Sequence, residues 1–168
     1  MIEIFYTSSI FFIFLLYSIY FYCKKFIDIR NIIIIVFLLK LFLLILVWFG
    51  LQLPDSQKDA VGFHYWARIQ SHLGLQHILD TFFAMGYPLV YIKLSGIIYA
   101  LFGYNINIIY FINIFIGVTN LILVWKISNL LFFNKSYSYW TTLAYAFFPA
   151  SFLYSFLPTR EVIISFVI

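Results

Sequence analysis

The sequence predicts an all-α integral membrane protein, a multi-span helical bundle with amphipathic interfacial helices in its first large outer loop. Three observations carry this. Only 10% of the 168 residues are charged and 65% are hydrophobic, whereas a soluble domain carries roughly 25% charged residues. Phe supplies 22 residues and Tyr 14, more aromatic surface than a small soluble core hides. The apolar residues also fall in blocks near the roughly 20-residue length of a helix that spans a bilayer core of about 30 Å.

The first block, residues 4–23, has that length and is followed by Lys24, Lys25 and Arg30. Met1-Ile2-Glu3 lacks the positive start of a signal peptide, and the charges come after the apolar run, so the segment is read as a retained anchor. The second block, residues 32–53, is closed by Pro54. Basic residues favour the cytoplasmic side, which puts the Lys24, Lys25 and Arg30 connection inside and residues 54–88 outside. The net charge of +4 comes from few, scattered residues. It is topology information and not a nucleic-acid footprint. Cys23 is the single cysteine, so no internal disulfide forms and the residue is read as structural.

Lys40 is the anomaly of the second block, because a charge at mid-helix costs about 2.5–3.5 kcal/mol on insertion scales. Two readings stand. It faces a protein interior and pairs with a carboxylate or a lipid phosphate, or it snorkels toward the cytoplasmic edge.

Residues 54–88 hold Asp55, Lys58, Asp59, His64, Arg68, His72, His77 and Asp80, about half of the ionisable side chains. A carboxylate at Asp55 or Asp59 suits a helix start, where backbone N–H groups lack partners. A helix over 59–73 gathers Val61, Tyr65, Trp66, Ile69 and Leu73 on one side, with His64, Arg68 and Ser71 on the other. That pattern predicts a helix lying on the membrane surface. Gly74 ends it. A second amphipathic piece covers 75–85, and Gly86-Tyr87-Pro88 breaks it.

Residues 89–102 are apolar with Lys93 among them, and are short for a crossing. They predict a second interfacial or re-entrant helix. Residues 106–125 and 137–157 predict two further spans, the last containing Pro149 and closed by Pro158. If 89–102 does not cross, Lys126 and Lys135 fall in the cytoplasm and Arg160-Glu161 emerges on the outer side with Asp59. Residues 162–168 read as the start of another span. The chain, a single transmembrane domain over 1–168, is therefore expected to be the N-terminal fragment of a longer module.

The ordered features resemble a known family. An outer-loop Asp59 is followed by Phe63, His64 and Ala67; Gly86-Tyr87-Pro88 precedes an apolar helix ending Leu101-Phe102-Gly103; two spans follow, the second carrying Pro149 and Ser155 and leading to Arg160-Glu161. Over roughly residues 32–168 this resembles the N-terminal half of the C-type (GT-C) membrane glycosyltransferases. The nearest likeness is to bacterial family-39-like members, related to protein O-mannosyltransferases and aminoarabinose transferases. Residues 4–23 have no counterpart in the minimal pattern.

The resemblance implies transfer of a sugar from a polyprenyl-phosphate donor to a lipid, glycan or protein acceptor on the outer face of a bacterial cytoplasmic membrane. It implies Asp59 as general base. Arg160, Glu161, His64, Arg68 and Lys93 are then candidates to bind substrate or phosphate, and Glu161 is also a candidate partner for Arg68. Some family members use a divalent ion and others none; no metal-ligand set is assigned here. Asp59 and His64 are five residues apart and do not share a helix face. The plainer reading of each residue is helix capping, a solvated polar face or an interfacial lysine. Two other functions compete: a transporter or flippase segment for lipid-linked glycans, with Lys40 and the 89–102 helix lining a path, and a non-catalytic membrane scaffold.

Overall fold

A computed structural model of the chain describes residues 2–53, 59–82 and 88–157. Helix α1 (Ile2–Lys25) leads through a 3-10 turn (Ile27–Ile29) into α2 (Arg30–Trp48). Then come α3 (Asp59–Leu73), α4 (Leu75–Asp80), α5 (Pro88–Phe102), α6 (Ile106–Phe132), α7 (Lys135–Phe147) and α8 (Pro149–Tyr154). Every described element is helical. Among the described residues, three segments are long and apolar enough to cross a membrane: Tyr6–Lys25, Ile27–Trp48 and Ile106–Phe132.

Local chemistry explains where the helices stop. Helix α2 ends at Trp48, short of the expected residue 53. Gly50 takes a left-handed φ of 94°, Gly50 N–H donates to the Val47 carbonyl and Leu51 N–H to the Leu46 carbonyl. This is the Schellman arrangement, which a glycine without Cβ adopts at little cost. Helix α6 runs past residue 125 to Phe132. Its stop is Phe133, at φ 48°, followed by Asn134, whose side chain caps α7 by accepting from Ser136 N–H at 2.8 Å. At the other end of α6, Asn105 caps by accepting from Asn107 N–H at 3.1 Å.

The stretch expected as one span over 137–157 is two helices. Pro149 has no N–H to give and disfavours helical backbone in the residue before it. Phe148 is accordingly extended, with φ −64° and ψ 122°, so α8 starts afresh with Pro149 in its first turn. The second amphipathic piece, expected over 75–85, is α4, which covers Leu75–Asp80.

Helices α1, α2, α6 and α7 share the main core, in which Leu15, Ile33, Leu44, Ile114, Val118, Leu121 and Phe156 are buried. The bundle has two chemically distinct ends. At one, Asp28 Oδ2 pairs with Lys135 Nζ at 3.0 Å and the Lys126 ammonium stands 5.6 Å from the Phe26 ring centre. At the other, Asn105 Nδ2 donates to Ser8 Oγ at 2.6 Å and Trp48 Nε1 donates to Asn107 Oδ1 at 3.0 Å. The chain thus leaves α2 and enters α6 at the same end, with α3, α4 and α5 between them. Helices α3 and α5 pair extensively with each other. They reach the bundle through Ile109 of α6 and through Phe102 of α5, edge-on to Phe11 of α1 at 5.0 Å.

Candidate functional site

The helix predicted over 59–73 forms with those limits, and Asp59 is its first residue. Its packing face is not the apolar stripe. Val61, Tyr65, Trp66 and Leu73 are all more than half exposed, while Ala60 and Ala67 are buried. Small residues let the two helices close up. A methyl group at Gly96 of α5 would stand 3.1 Å from Gln70 Cβ and 3.3 Å from the Ala67 carbonyl oxygen. Val61, Tyr65, Trp66 and Leu73 are left facing away from the protein, while Phe63 packs edge-on to Tyr91 of α5.

His64 does not lie on a solvated face. It shares a hydrogen bond of 2.5 Å between Nδ1 and the Tyr99 hydroxyl and stacks on Tyr104, with ring centres 4.6 Å apart and planes 25° from parallel. Arg68, one turn on, places its guanidinium 4.6 Å from the centre of the same Tyr104 ring, a cation–π distance. Burial, and then the neighbouring Arg68 charge, lower the His64 pKa from 6.5 to about 4. Burial foremost pushes the Tyr99 hydroxyl up. The neutral imidazole and the protonated phenol therefore hold each other, and the exposed Arg68 remains the cation of this cluster. Tyr99 and Tyr104 were missed in the sequence. The available signal was their position flanking the Leu101-Phe102-Gly103 helix end.

Lys93 is only 2% exposed, and its ammonium finds no hydrogen-bond partner among the described residues. It lies on α5 three residues before Gly96, beside the close contact with α3. An ammonium with three donors and no acceptor is an uncommon state for a buried group, because desolvation is not offset.

Lys40 is 1% exposed and faces the protein interior. Its partner is neither a carboxylate nor a phosphate. Nζ donates to the Ser155 carbonyl at 3.3 Å and also to Ser155 Oγ, and it stands 5.6 Å from the Phe152 ring centre. Asn113 of α6 donates to the Leu157 carbonyl. The expected alternative of snorkelling to the cytoplasmic edge is overturned by this enclosure. The physical reason is that α8 is short, and the carbonyls at its C-terminal side need donors in an apolar interior.

Asp55, Arg160 and Glu161 lie outside the described residues, as does the side chain of Asp59. The structure brings together His64, Arg68, Tyr99 and Tyr104, and sets Lys93 in the same helix pair. Among the described residues, no three of His, Cys, Asp or Glu gather to hold a metal ion. No protein-family model, curated protein or solved structure matches this chain.

Proposed function

We propose that the chain acts in a membrane glycosyltransferase that moves a sugar from a polyprenyl-phosphate-linked donor to a lipid, glycan or protein acceptor on the outer face of a bacterial cytoplasmic membrane. The observation that carries this reading is the buried ammonium of Lys93, without a hydrogen-bond partner among the described residues, in the helix that packs on α3. A phosphate is the acceptor such a group lacks. Arg68, on the exposed side of α3, adds a second cation to the same helix pair.

In the reaction, the acceptor hydroxyl oxygen forms a bond to the anomeric carbon as the bond from that carbon to the phosphate oxygen breaks. Asp59 takes the hydroxyl proton, and the polyprenyl phosphate leaves with the electron pair. Cations at the departing phosphate are the main electrostatic requirement. The basic end of the bundle, with Lys24, Lys25, Arg30, Lys126 and Lys135, is the cytoplasmic end by charge bias. The helices α3 to α5 then belong to the outer side. Arg160 and Glu161, three and four residues past Leu157, complete the phosphate and acceptor contacts in this reading.

Lys40 favours the transferase over a transporter, because its ammonium is bonded to Ser155 and enclosed beside Phe152. A scaffold has no use for a buried Lys93 that lacks a partner among the described residues. Two variants test the proposal. Asp59→Asn should insert normally and lose transfer by about 10²–10⁴-fold, the usual worth of a general base. Lys93→Met should weaken donor binding by roughly 10–100-fold, the loss of one charge-assisted hydrogen bond. It should not lower thermal stability, since it removes an uncompensated buried charge. Unchanged donor affinity in Lys93→Met would sink the reading.

A further inference from the structure

We infer, independently of the transferase reading, that the basic end of the bundle binds one anionic phospholipid, with the headgroup phosphate between Lys25 of α1 and Lys126 of α6. The two lysines converge on one ring. Lys25 Nζ stands 5.9 Å from the centre of the Phe26 ring and Lys126 Nζ stands 5.6 Å from it. Phe26 is half-buried and packs on the main core, so the ring is held in place for both. Each cation gains from the ring face, yet two ammonium groups gathered at one ring repel each other unless an anion stands with them. The described residues do not provide that anion. Asp28 is the one carboxylate at this end among them, and its Oδ2 is taken by Lys135 Nζ at 3.0 Å. Lys24, Lys25, Arg30 and Lys126 are left without an acidic partner among the described residues.

Ordinary causes cover only part of this set. Lys24 and Lys25 lie in the last turn of α1, where the helix dipole favours a cation. Lys126 lies inside α6, which runs on to Phe132, so no helix end calls for it. Charge bias toward the cytoplasm requires basic residues near the ends of the spans. It does not require two of them, from different helices, at one aromatic ring.

The surface beside these cations selects a lipid over a soluble anion. Lys25 Nζ is also 5.9 Å from the Phe21 ring centre. Phe14, Tyr17 and Phe21, all at least half exposed, follow steps of three and four residues along α1 and lead up to Lys25. The stripe borders α6, since the Phe14 ring lies 5.8 Å from that of Phe115 and the Tyr22 and Thr119 hydroxyls bond at 3.2 Å. The seam between α1 and α6 is therefore apolar along its length and cationic at its end, which matches an acyl chain below a phosphate. Phosphate oxygens accept charge-assisted bonds from ammonium groups, and basic sites between spanning helices on the cytoplasmic side suit anionic headgroups.

The test uses the full chain purified in detergent and phosphatidylglycerol carrying pyrene on one acyl chain. Energy transfer from the protein tryptophans, Trp125 beside Lys126 among them, reads binding. Phosphatidylcholine with the same chains, whose headgroup has no net charge, should bind at least about tenfold more weakly. Lys25→Gln and Lys126→Gln should each weaken phosphatidylglycerol binding by roughly fivefold, the worth of one lysine near anionic lipid. The pair Lys25→Arg and Lys126→Arg should retain it. Lys135→Gln removes the same charge from the same end, but that ammonium is committed to Asp28, so affinity should stay within about twofold. All three lysines are exposed, so these variants should insert as the wild type does. Equal weakening by Lys135→Gln means a diffuse field and overturns the site, as does equal binding of the two lipids. Displacement of the lipid by millimolar inorganic phosphate, beyond that caused by sodium chloride of the same ionic strength, assigns the cations to a soluble anion and overturns it too.

Discussion

His64 shows how one side chain couples burial to pH. Its folded pKa, about 4, lies below the ordinary value of 6.5. Above pH 6.5 the imidazole is neutral folded and unfolded, and contributes no pH dependence. As pH falls toward 4, the unfolded chain binds a proton that the folded chain refuses, so stability drops over that window. The thermal midpoint in detergent should therefore fall between pH 6.5 and pH 4, and His64→Gln should flatten that part of the profile. A profile unchanged by the substitution would mean that His64 is hydrated, contrary to its contacts with Tyr99 and Tyr104. Lys93 and Lys40 make the complementary point. Both are buried cations on apolar helices, yet Lys40 is bonded to Ser155 and Lys93 is bonded to nothing described. Lys40→Met should cost roughly 1–3 kcal/mol because it strips a buried carbonyl of its donor, whereas Lys93→Met should cost nothing. Chemical denaturation of the two variants side by side decides this.

At the scale of elements, glycines separate close packing from mere permissiveness. Gly117 of α6 has no room for a methyl group, being 2.7 Å from Lys40 Nζ by that measure, while Gly62 of α3 has open space. Gly117→Ala should destabilise by about 1–3 kcal/mol, the range for overpacking. Gly62→Ala should stabilise by roughly 0.5–1 kcal/mol through helix propensity alone. Unfolding midpoints of the two variants should move in opposite directions. Helix α3 carries a second lesson. Its pairing with α5 uses Ala67 and Gly96, with Phe63 edge-on to Tyr91, which leaves Tyr65 and Trp66 exposed. Small residues at helix contacts are the usual means of close approach where apolar surface has no water to escape.

The whole molecule sets the basic loops at one end and the mouths of α2 and α6 at the other. The Asp28–Lys135 pair marks the first end but is exposed on both sides. Such pairs contribute only about 0–1 kcal/mol, so Lys135→Ala should leave the midpoint nearly unchanged while the packing of α1, α2 and α6 holds the ends in place. Topology follows. Single cysteines at Leu51 and Tyr104 should react with an impermeant reagent from one face of an intact vesicle, and one at Asn134 only from the opposite face. Labelling of 51 and 104 from opposite faces would mean that the path through α3, α4 and α5 crosses the membrane an odd number of times, and would separate Asp59 from the proposed outer site.

Periodicity and length in the sequence determined the helical class, the two hydrophobic helices at the start, and the limits of the 59–73 helix, because these depend on near neighbours along the chain. The break at Pro149 has a local cause too, its missing N–H, yet the sequence reads as one span through it, and two helices take its place only with the extended backbone observed at Phe148. The stop at Gly50 was equally local, and lay in a residue that hydrophobicity alone does not weigh. What only the tertiary structure decided was which side of each helix has a protein neighbour. Pattern placed Tyr65 and Trp66 together and His64 and Arg68 apart from them, but could not say that Ala67 and Gly96 let α3 and α5 close up around His64 and Tyr99. Nor could it tell Lys40 from Lys93. Both are lone lysines among apolar residues, and the difference between a satisfied ammonium and an unpartnered one is made by acceptors more than 100 residues away in one case and by their absence in the described structure in the other.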